Sequence, residues 1–238
     1  MISLIIPCFN EEENLEKLLE KLNLLIKEFS DENIEIVIVD NGSTDNSNNI
    51  IRSNKLFIDK RISLLNIKKN IGYGDGLYQG INFSKGDVIC WFHADLQFDP
   101  LDSIKIYKKF KNALSNEEIF IKGKRINRSL FDNFFTFGMS LLTFLLFKKK
   151  IKDINAQPKI FKRSFLKLIN NPPIDFSFDI YFLLIAAKNN IKIIESPVNW
   201  YDRNAGIAKG GGSFQLKLKL TLRTIKFMLD LKKILKWK

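Results

Sequence analysis

The residues best suited to chemistry in this 238-residue sequence form one short run, His93-Ala94-Asp95-Leu96-Gln97. His93, Asp95 and Gln97 alternate, so in an extended segment their side chains point the same way. Carboxylate and carboxamide oxygens with one imidazole nitrogen suit Mn2+ or Mg2+. A cation held there would neutralise the charge that develops on a departing diphosphate. A bare HxDxQ pattern is common in surface loops, so its place in the fold decides what it means.

Hydrophobic periodicity supplies that place. Ser3–Ile6 is an apolar run stopped by Pro7, and it reads as a short buried strand. Asn10 stands as a helix cap before Glu11, Glu12 and Glu13, and Glu13 occupies the capping-box position. Leu15, Leu18, Leu19, Leu22, Leu25, Ile26 and Phe29 then recur at helical spacing. Strands follow at 34–39, 62–67 and 87–92, with Ser43 or Thr44 placed to cap the second helix. Gly72–Ser84 reads as a glycine-punctuated loop with a short helix, and Pro100–Leu114 as a helix. This alternation predicts a largely parallel sheet with helices on both faces, and such sheets bind ligands beyond the carboxyl ends of their strands. Three polar clusters fall at those ends: Pro7–Glu11, Asp40–Asp45 and His93–Gln97.

The second half is less regular. Strands are expected at 119–122, 159–161 and 191–195, with a helix over Asp179–Lys188. Leu130–Phe147 is aromatic-rich. Phe214–Lys238 starts with the period-two pattern LKLKLTL, but Leu218, Leu222, Ile225 and Leu229 fit a helix, and length favours the helix. There is no internal repeat.

Composition narrows the function classes. The hydrophobic fraction of 45% and charged fraction of 27% are those of a folded domain. The net charge of +12 calls for an anionic partner. Nucleic acid is not expected, because the basic residues concentrate late in the chain and no nucleic-acid motif is present. Cys8 and Cys90 lie in apolar runs, as buried free thiols of a reducing compartment do. MISLIIPCFN lacks the basic start of a signal peptide. The longest stretch without a charged residue, Asn133–Phe147, is too short for a comfortable membrane span. These features lead us to expect a cytoplasmic protein that lies peripherally at the inner face of the cytoplasmic membrane.

Four ordered segments carry a resemblance. IIPCFNEEENL, IVIVDNGSTDNS, NIGYGDGLYQGINFSKGDVICWFHADLQFDP and ESPVNWYDRNAGIAKGG together resemble family 2 glycosyltransferases, most of all the dolichyl-phosphate mannose synthase and polyprenyl-phosphate glycosyltransferase group. The resemblance implies an inverting GT-A enzyme: an α/β fold whose mostly parallel mixed sheet is flanked by helices. It implies one domain over residues 1–209, with a nucleotide-sugar half (1–115) and an acceptor half (116–209), followed by a basic amphipathic segment (210–238). By this likeness Pro7, Phe9, Asn10 and Glu11 hold the base and ribose, and Val39, Asp40 and Asn41 lie along the nucleoside. Ala94 and Asp95 meet the diphosphate, Asp95 and Gln97 hold the divalent cation, and Arg125, Arg203 and Lys209 meet phosphate groups.

The sequence departs from the family pattern at informative points. The usual DxD appears as His93-Ala94-Asp95, and Asn41 stands where a second Asp is common. Both changes make the site less negative. His93 is read here as a metal ligand that shifts preference from Mg2+ toward Mn2+, since imidazole is a softer donor; the alternative is a direct hydrogen bond to the diphosphate. The family's arginine after Arg125 is missing, and Arg128 is its candidate substitute. Asp179 sits among aromatics in Phe176-Ser177-Phe178-Asp179. It is either a general base whose burial raises its pKa or the cap of the following helix. Gly72-Tyr73-Gly74-Asp75-Gly76 offers a phosphate cradle, but without a following Lys it is assigned to a structural turn. The glycine-rich run Arg203–Gly212 reads as a mobile loop closing over the diphosphate, with Arg203 joining Asp95 and Asp179 in the catalytic set.

The remaining question is the acceptor. From Lys209 to Lys238 nine Lys/Arg face one Asp, eight of the twelve net positive charges. Basic amphipathic segments bind anionic bilayers, and six phenylalanines between Phe131 and Phe147 suit an interface, although both segments could instead pack in the core. The leading expectation is transfer of a hexose from a nucleotide diphosphate sugar to a polyprenyl phosphate or lipid-linked glycan, serving cell-envelope glycan synthesis. A saccharide hydroxyl is the alternative acceptor. A non-catalytic membrane or nucleic-acid adaptor is the outsider, and it would have no use for Asp95 and Gln97.

Overall fold

The computed structural model describes residues 1–127, 130–203, 214–234 and 237. In chain order the elements are β1 (Ile2–Cys8), α1 (Glu12–Glu28), β2 (Ile34–Asn41), α2 (Ser47–Ser53), α3 (Lys55–Ile58), β3 (Ser63–Ile67), α4 (Tyr73–Phe83) and β4 (Val88–Trp91). There follow α5 (Pro100–Asn116), β5 (Ile119–Ile126), α6 (Leu130–Phe147), β6 (Lys159–Lys162), a 3-10 turn (Arg163–Leu168), α7 (Phe178–Lys188), β7 (Lys192–Asn199) and α8 (Phe214–Ile234). Seven strands form one sheet in the order β3-β2-β1-β4-β6-β5-β7. β1 pairs in parallel with β2 and β4, β2 with β3, and β5 with β7, whereas β6 runs antiparallel to both β4 and β5. The expected mostly parallel mixed sheet with helices on both faces is therefore what the chain forms.

The two faces follow from strand periodicity. Alternate residues of a strand point to opposite sides. Ile2, Leu4, Ile6 and Cys8, with Val88, Cys90 and Phe92, join α1 and α5 in one apolar layer. Ile5, Ile89 and Trp91 face the other layer, built with α4 and α7 and joined by Phe147, Met228 and Leu231. α7 is buried over nearly its whole length, and its Phe178 and Phe182 meet Trp91, Phe161 and Phe165 in edge-on and tilted contacts with neighbouring ring centres 4.5–5.8 Å apart. Both cysteines are free and buried, and burial pushes both thiols far up, so neither offers a thiolate.

Local details differ from the sequence expectation. α1 starts at Glu12 without a side-chain cap, because Asn10 adopts a left-handed conformation (φ 53) and its side chain is used elsewhere. α2 starts at Ser47, past Ser43 and Thr44. α4 is a regular helix of eleven residues despite three glycines. A Cβ at Gly76 would stand 2.5 Å from Asn41 Cγ, so its glycines serve close packing of the helix on β2. α5 has a compact start: Asp99 accepts from Leu101 N at 3.0 Å and Pro100 opens the helix. Phe214–Ile234 is helical, as its length required.

Candidate functional site

The carboxyl ends of β1, β2 and β4 lie side by side, since Cys8 is in register with Asp40 and Ile5 with Trp91. The three polar clusters therefore share one edge of the sheet. Between the first two, side chains lock the turns together. Asn10 N donates to Ser43 Oγ (3.0 Å), Thr44 N to Asn10 Oδ1 (2.8 Å), and Glu11 N to Ser47 Oγ (3.0 Å). Asp40 accepts from Ser43 N at 2.9 Å and Asn48 Nδ2 at 2.7 Å, and so shapes the loop after β2. Pro7 and Phe9 are half-buried at the end of β1. Val39 and Asn41 have other tasks. Val39 is core, and the Asn41 carboxamide is buried between Gly76 and Gly72, donating to Gly72 O at 3.0 Å. Any approach of these two to a nucleoside runs through the backbone.

The His93–Gln97 segment is not extended. It forms a turn in which Leu96 takes a left-handed conformation (φ 58), so alternation does not explain how its side chains meet. A left-handed leucine is strained by roughly 1–2 kcal/mol, and such strain clusters at functional sites. Asp95 Oδ1 accepts from Gln97 N at 3.2 Å, and Asp95 Oδ2 faces His93 Nδ1 at 4.0 Å and Arg203 at 3.7 Å. Arg203 also binds both Glu11 oxygens at 2.6 Å, tying the β1 end to the β4 end. Gln97 contacts Tyr201 through its backbone O (3.1 Å) and, at the long limit of 3.5 Å, through Nε2, which leaves ligation to its Oε1.

These donors can hold a cation. Two ligands each about 2.1 Å from one ion stand roughly 3–4 Å apart, and the 4.0 Å between His93 Nδ1 and Asp95 Oδ2 meets that with little adjustment. Among the described residues no cluster of three His, Cys, Asp or Glu exists. Gln97, a donor of another type, is needed to complete the set.

Behind His93 lies a buried polar chain that periodicity did not reveal. His93 Nε2 is 3.1 Å from the Tyr73 hydroxyl and 3.3 Å from Gln157 Nε2. Gln157 Nε2 reaches Asp179 Oδ1 at 3.3 Å, and Lys159 Nζ binds the same oxygen at 2.6 Å. Burial pushes the Asp179 carboxyl up, but the Lys159 ammonium and its hydrogen bond, helped by His93 and Gln157, hold it below the usual carboxylate range. That overturns the expected raised pKa. Asp179 lies in the first turn of α7 and makes no capping bond, so the cap reading fails too. Burial and Asp179 together push the Tyr73 phenol well above its usual value. A lysine inside an apolar strand run, Lys159-Ile160-Phe161, was the available sequence signal for a buried partner of an acid.

Arg125 is not directed at this centre. It pairs with Asp153 through Nε at 2.9 Å and through Nη2, and lies over the Trp200 ring at 4.8 Å. Burial raises the Asp153 carboxyl, and Arg125 more than reverses this. A phosphate role for Arg125 therefore needs that pair to open. Lys209 and Arg128 lie outside the described residues, as does the run 204–213.

Comparison with known proteins agrees with this geometry. The sequence profile of glycosyl transferase family 2 matches residues 3–168. Dolichyl-phosphate β-glucosyltransferase ALG5C of Trichomonas vaginalis is 27% identical over 94% of this chain and 70% of its own length. The dolichyl-phosphate β-glucosyltransferase of Dictyostelium discoideum is 29% identical over 84% and 66%. Among solved structures, glucosyl-3-phosphoglycerate synthase of Mycobacterium tuberculosis, in complex with Mn2+, UDP and phosphoglyceric acid, superposes with a TM-score of 0.73 at 17% identity, covering 97% of this chain and 78% of that one. With a profile match across most of its length and the sheet of the GT-A enzymes, the chain belongs to glycosyl transferase family 2 and is a glycosyltransferase.

Proposed function

We propose that the enzyme transfers a hexose, with inversion, from a nucleotide diphosphate sugar to a polyprenyl phosphate, or to a glycan on such a carrier, with a divalent cation on Asp95, Gln97 and His93. The observation that carries the acceptor assignment is the state of Asp179. A hydroxyl acceptor needs a base to take its proton. Asp179 is the buried acid on the inner side of His93, reached through Gln157, and it is pinned by Lys159 and held below the usual carboxylate range, which makes it a poor base. A phosphate acceptor is already an anion and needs only positive groups around it. The curated relatives support this choice, being named for dolichyl-phosphate acceptors. On the donor side, Pro7, Phe9, Asn10 and Glu11 frame the base and ribose, and Arg203 and Lys209 meet the diphosphate.

The proposed site of action is the cytoplasmic membrane surface, in cell-envelope glycan synthesis. No helix among the described residues is long and apolar enough to cross a membrane. α6 and α8 leave Phe137, Leu141, Leu145, Leu218 and Leu222 exposed beside Lys219, Arg223 and Lys226, the mixture an anionic bilayer surface binds.

The test is product analysis. Purified enzyme receives labelled UDP- and GDP-hexoses, Mn2+ or Mg2+, and either undecaprenyl phosphate in detergent or soluble saccharides. Label in the organic phase, dependent on cation and with Mn2+ at least equal to Mg2+, is expected. Label found only in water-soluble saccharide product would replace the lipid acceptor by a hydroxyl. A clear lead of Mg2+ over Mn2+ would remove His93 from the ligand set.

A further inference from the structure

Two exposed isoleucines stand between the cation centre and α8. Ile71 is 52% exposed and Ile174 53%. They belong to distant segments that meet backbone to backbone. Asp75 N donates to Ile174 O at 3.1 Å, and a Cβ at Gly72 would stand 2.0 Å from the same oxygen. Glycine at 72 is what permits this approach, and so what keeps the two isoleucine-bearing segments together. Toward the site, Tyr73 stacks on Phe176 at 5.1 Å with both rings half-buried, and Tyr73 meets the His93 ring at 5.3 Å. Away from the site, Asp175 is bound by Arg223 Nε of α8 at 2.8 Å, and Leu222 beside that arginine is 58% exposed. An apolar strip thus runs from His93 over Tyr73 and Phe176 to the isoleucines and on to α8.

We propose that this strip is the track on which the isoprenoid chain of the acceptor lies while its phosphate stands beside the cation centre. Continuity supports that occupant. One end of the strip is the cation centre, and the other is the basic and apolar face of α8, where a lipid-borne phosphate would arrive. Composition supports it too. Aromatic rings and branched aliphatic side chains cover an isoprenoid chain well, whereas a saccharide needs convergent hydrogen-bonding groups that these side chains lack. Contiguous exposed apolar surface of this kind marks a binding site. The charges along the rim match a phosphate monoester. Lys68 and Lys69 are exposed just before Ile71, while the two acids nearby are occupied, Asp75 by Gln79 Nε2 at 2.7 Å and Asp175 by Arg223. The inference rests on the polyprenyl-phosphate reading of the function and names the subsite that reading requires.

The probe is farnesyl phosphate, a short isoprenoid used in solution without vesicles or detergent, so that membrane binding plays no part. Ile174→Asp puts a charge at an exposed position, where folding tolerates it. It should raise the KM for farnesyl phosphate about tenfold, through lost apolar contact, and leave the KM for the nucleotide sugar within about twofold. Leu24→Asp, an equally exposed change on α1, should move neither constant. In a second experiment, farnesyl phosphate with a diazirine at its far end is irradiated on the wild-type enzyme with Mn2+ and UDP. Label is expected on the peptides that carry Ile71 and Ile174. An unchanged KM in Ile174→Asp, or label confined to other peptides, would overturn the proposal. If Ile174→Asp does not fold, Ile71→Asp and the wild-type photolabel decide. Label elsewhere beside active transfer to farnesyl phosphate sinks the track and leaves the function standing. Transfer to a saccharide alone, with neither farnesyl nor undecaprenyl phosphate accepted, sinks the polyprenyl-phosphate reading and the track with it.

Discussion

Asp95 carries the strongest expectation at the scale of single residues, because it touches Gln97 N and faces both His93 and Arg203. Asp95→Ala should cut cation-dependent transfer on the order of 100-fold or more. Activity within a few-fold of wild type in a steady-state assay would exclude it from the cation site. The Lys159–Asp179 pair should act on stability. Removing one partner of a buried pair costs about 3–5 kcal/mol, so Lys159→Met and Asp179→Asn each lower stability in urea unfolding. The double variant should lose clearly less than the sum. Because Asp179 titrates lower when folded, its contribution holds above the ordinary carboxylate range and fades as pH drops through the folded pKa. Lys122 gives the reverse case. It is fully buried, and burial, only partly offset by Glu195, lowers its pKa from 10.5 to about 8. Between about 8 and 10.5 the unfolded chain binds more protons, so stability rises with pH there, by about 3 kcal/mol at full extent. Lys122→Met should abolish that rise. Parallel pH curves for both proteins would show that Lys122 is not its source.

At the scale of elements, α6 and α8 form one structural unit with two faces. Trp237 Nε1 donates to Phe147 O at 2.9 Å and the two rings meet at 5.0 Å, while Tyr181 of α7 meets Phe227 at 6.4 Å. Met228 and Leu231 turn inward, and Leu218, Leu222, Leu229 and Ile234 turn outward. Each alternative from the sequence, core packing and surface exposure, thus describes one side of α8. The outward side should bind vesicles of anionic phosphatidylglycerol and not neutral phosphatidylcholine. Lys226→Gln and Lys233→Gln should each weaken cosedimentation about fivefold, given roughly 1 kcal/mol per basic residue near such a surface. Equal binding to neutral and anionic vesicles would remove the electrostatic part of this expectation.

Across the whole molecule, the half that repeats one pattern was the half legible in the sequence. Parallel strands alternating with helices put residues 1–115 on paper nearly as they stand, and the convergence of Glu11, Asp40 and Asp95 at one sheet edge followed from strand direction alone. The other half turns on pairings that no local period encodes. β6 inserts antiparallel between β4 and β5, and this brings Gln157 and Lys159 beneath His93 from more than sixty residues away. For the same reason the Gly72–Gly76 run looked like a plain turn, since the partner of the Tyr73 hydroxyl, His93, lies beyond the end of β4. The guanidinium of Arg203 holds Glu11, beyond the end of the first strand, and faces Asp95, beyond the end of the fourth. Its consequence is thermodynamic linkage. A cation arriving at Asp95 meets a positive charge already there, and a diphosphate arriving later relieves the repulsion between the two. Cation and nucleotide should therefore bind with positive heterotropic cooperativity, each tightening the other by the same factor, as reciprocity demands. Calorimetric titration in both orders measures that factor. In Arg203→Ala, Mn2+ alone should bind more tightly, UDP or GDP alone more weakly, and the coupling between them should shrink.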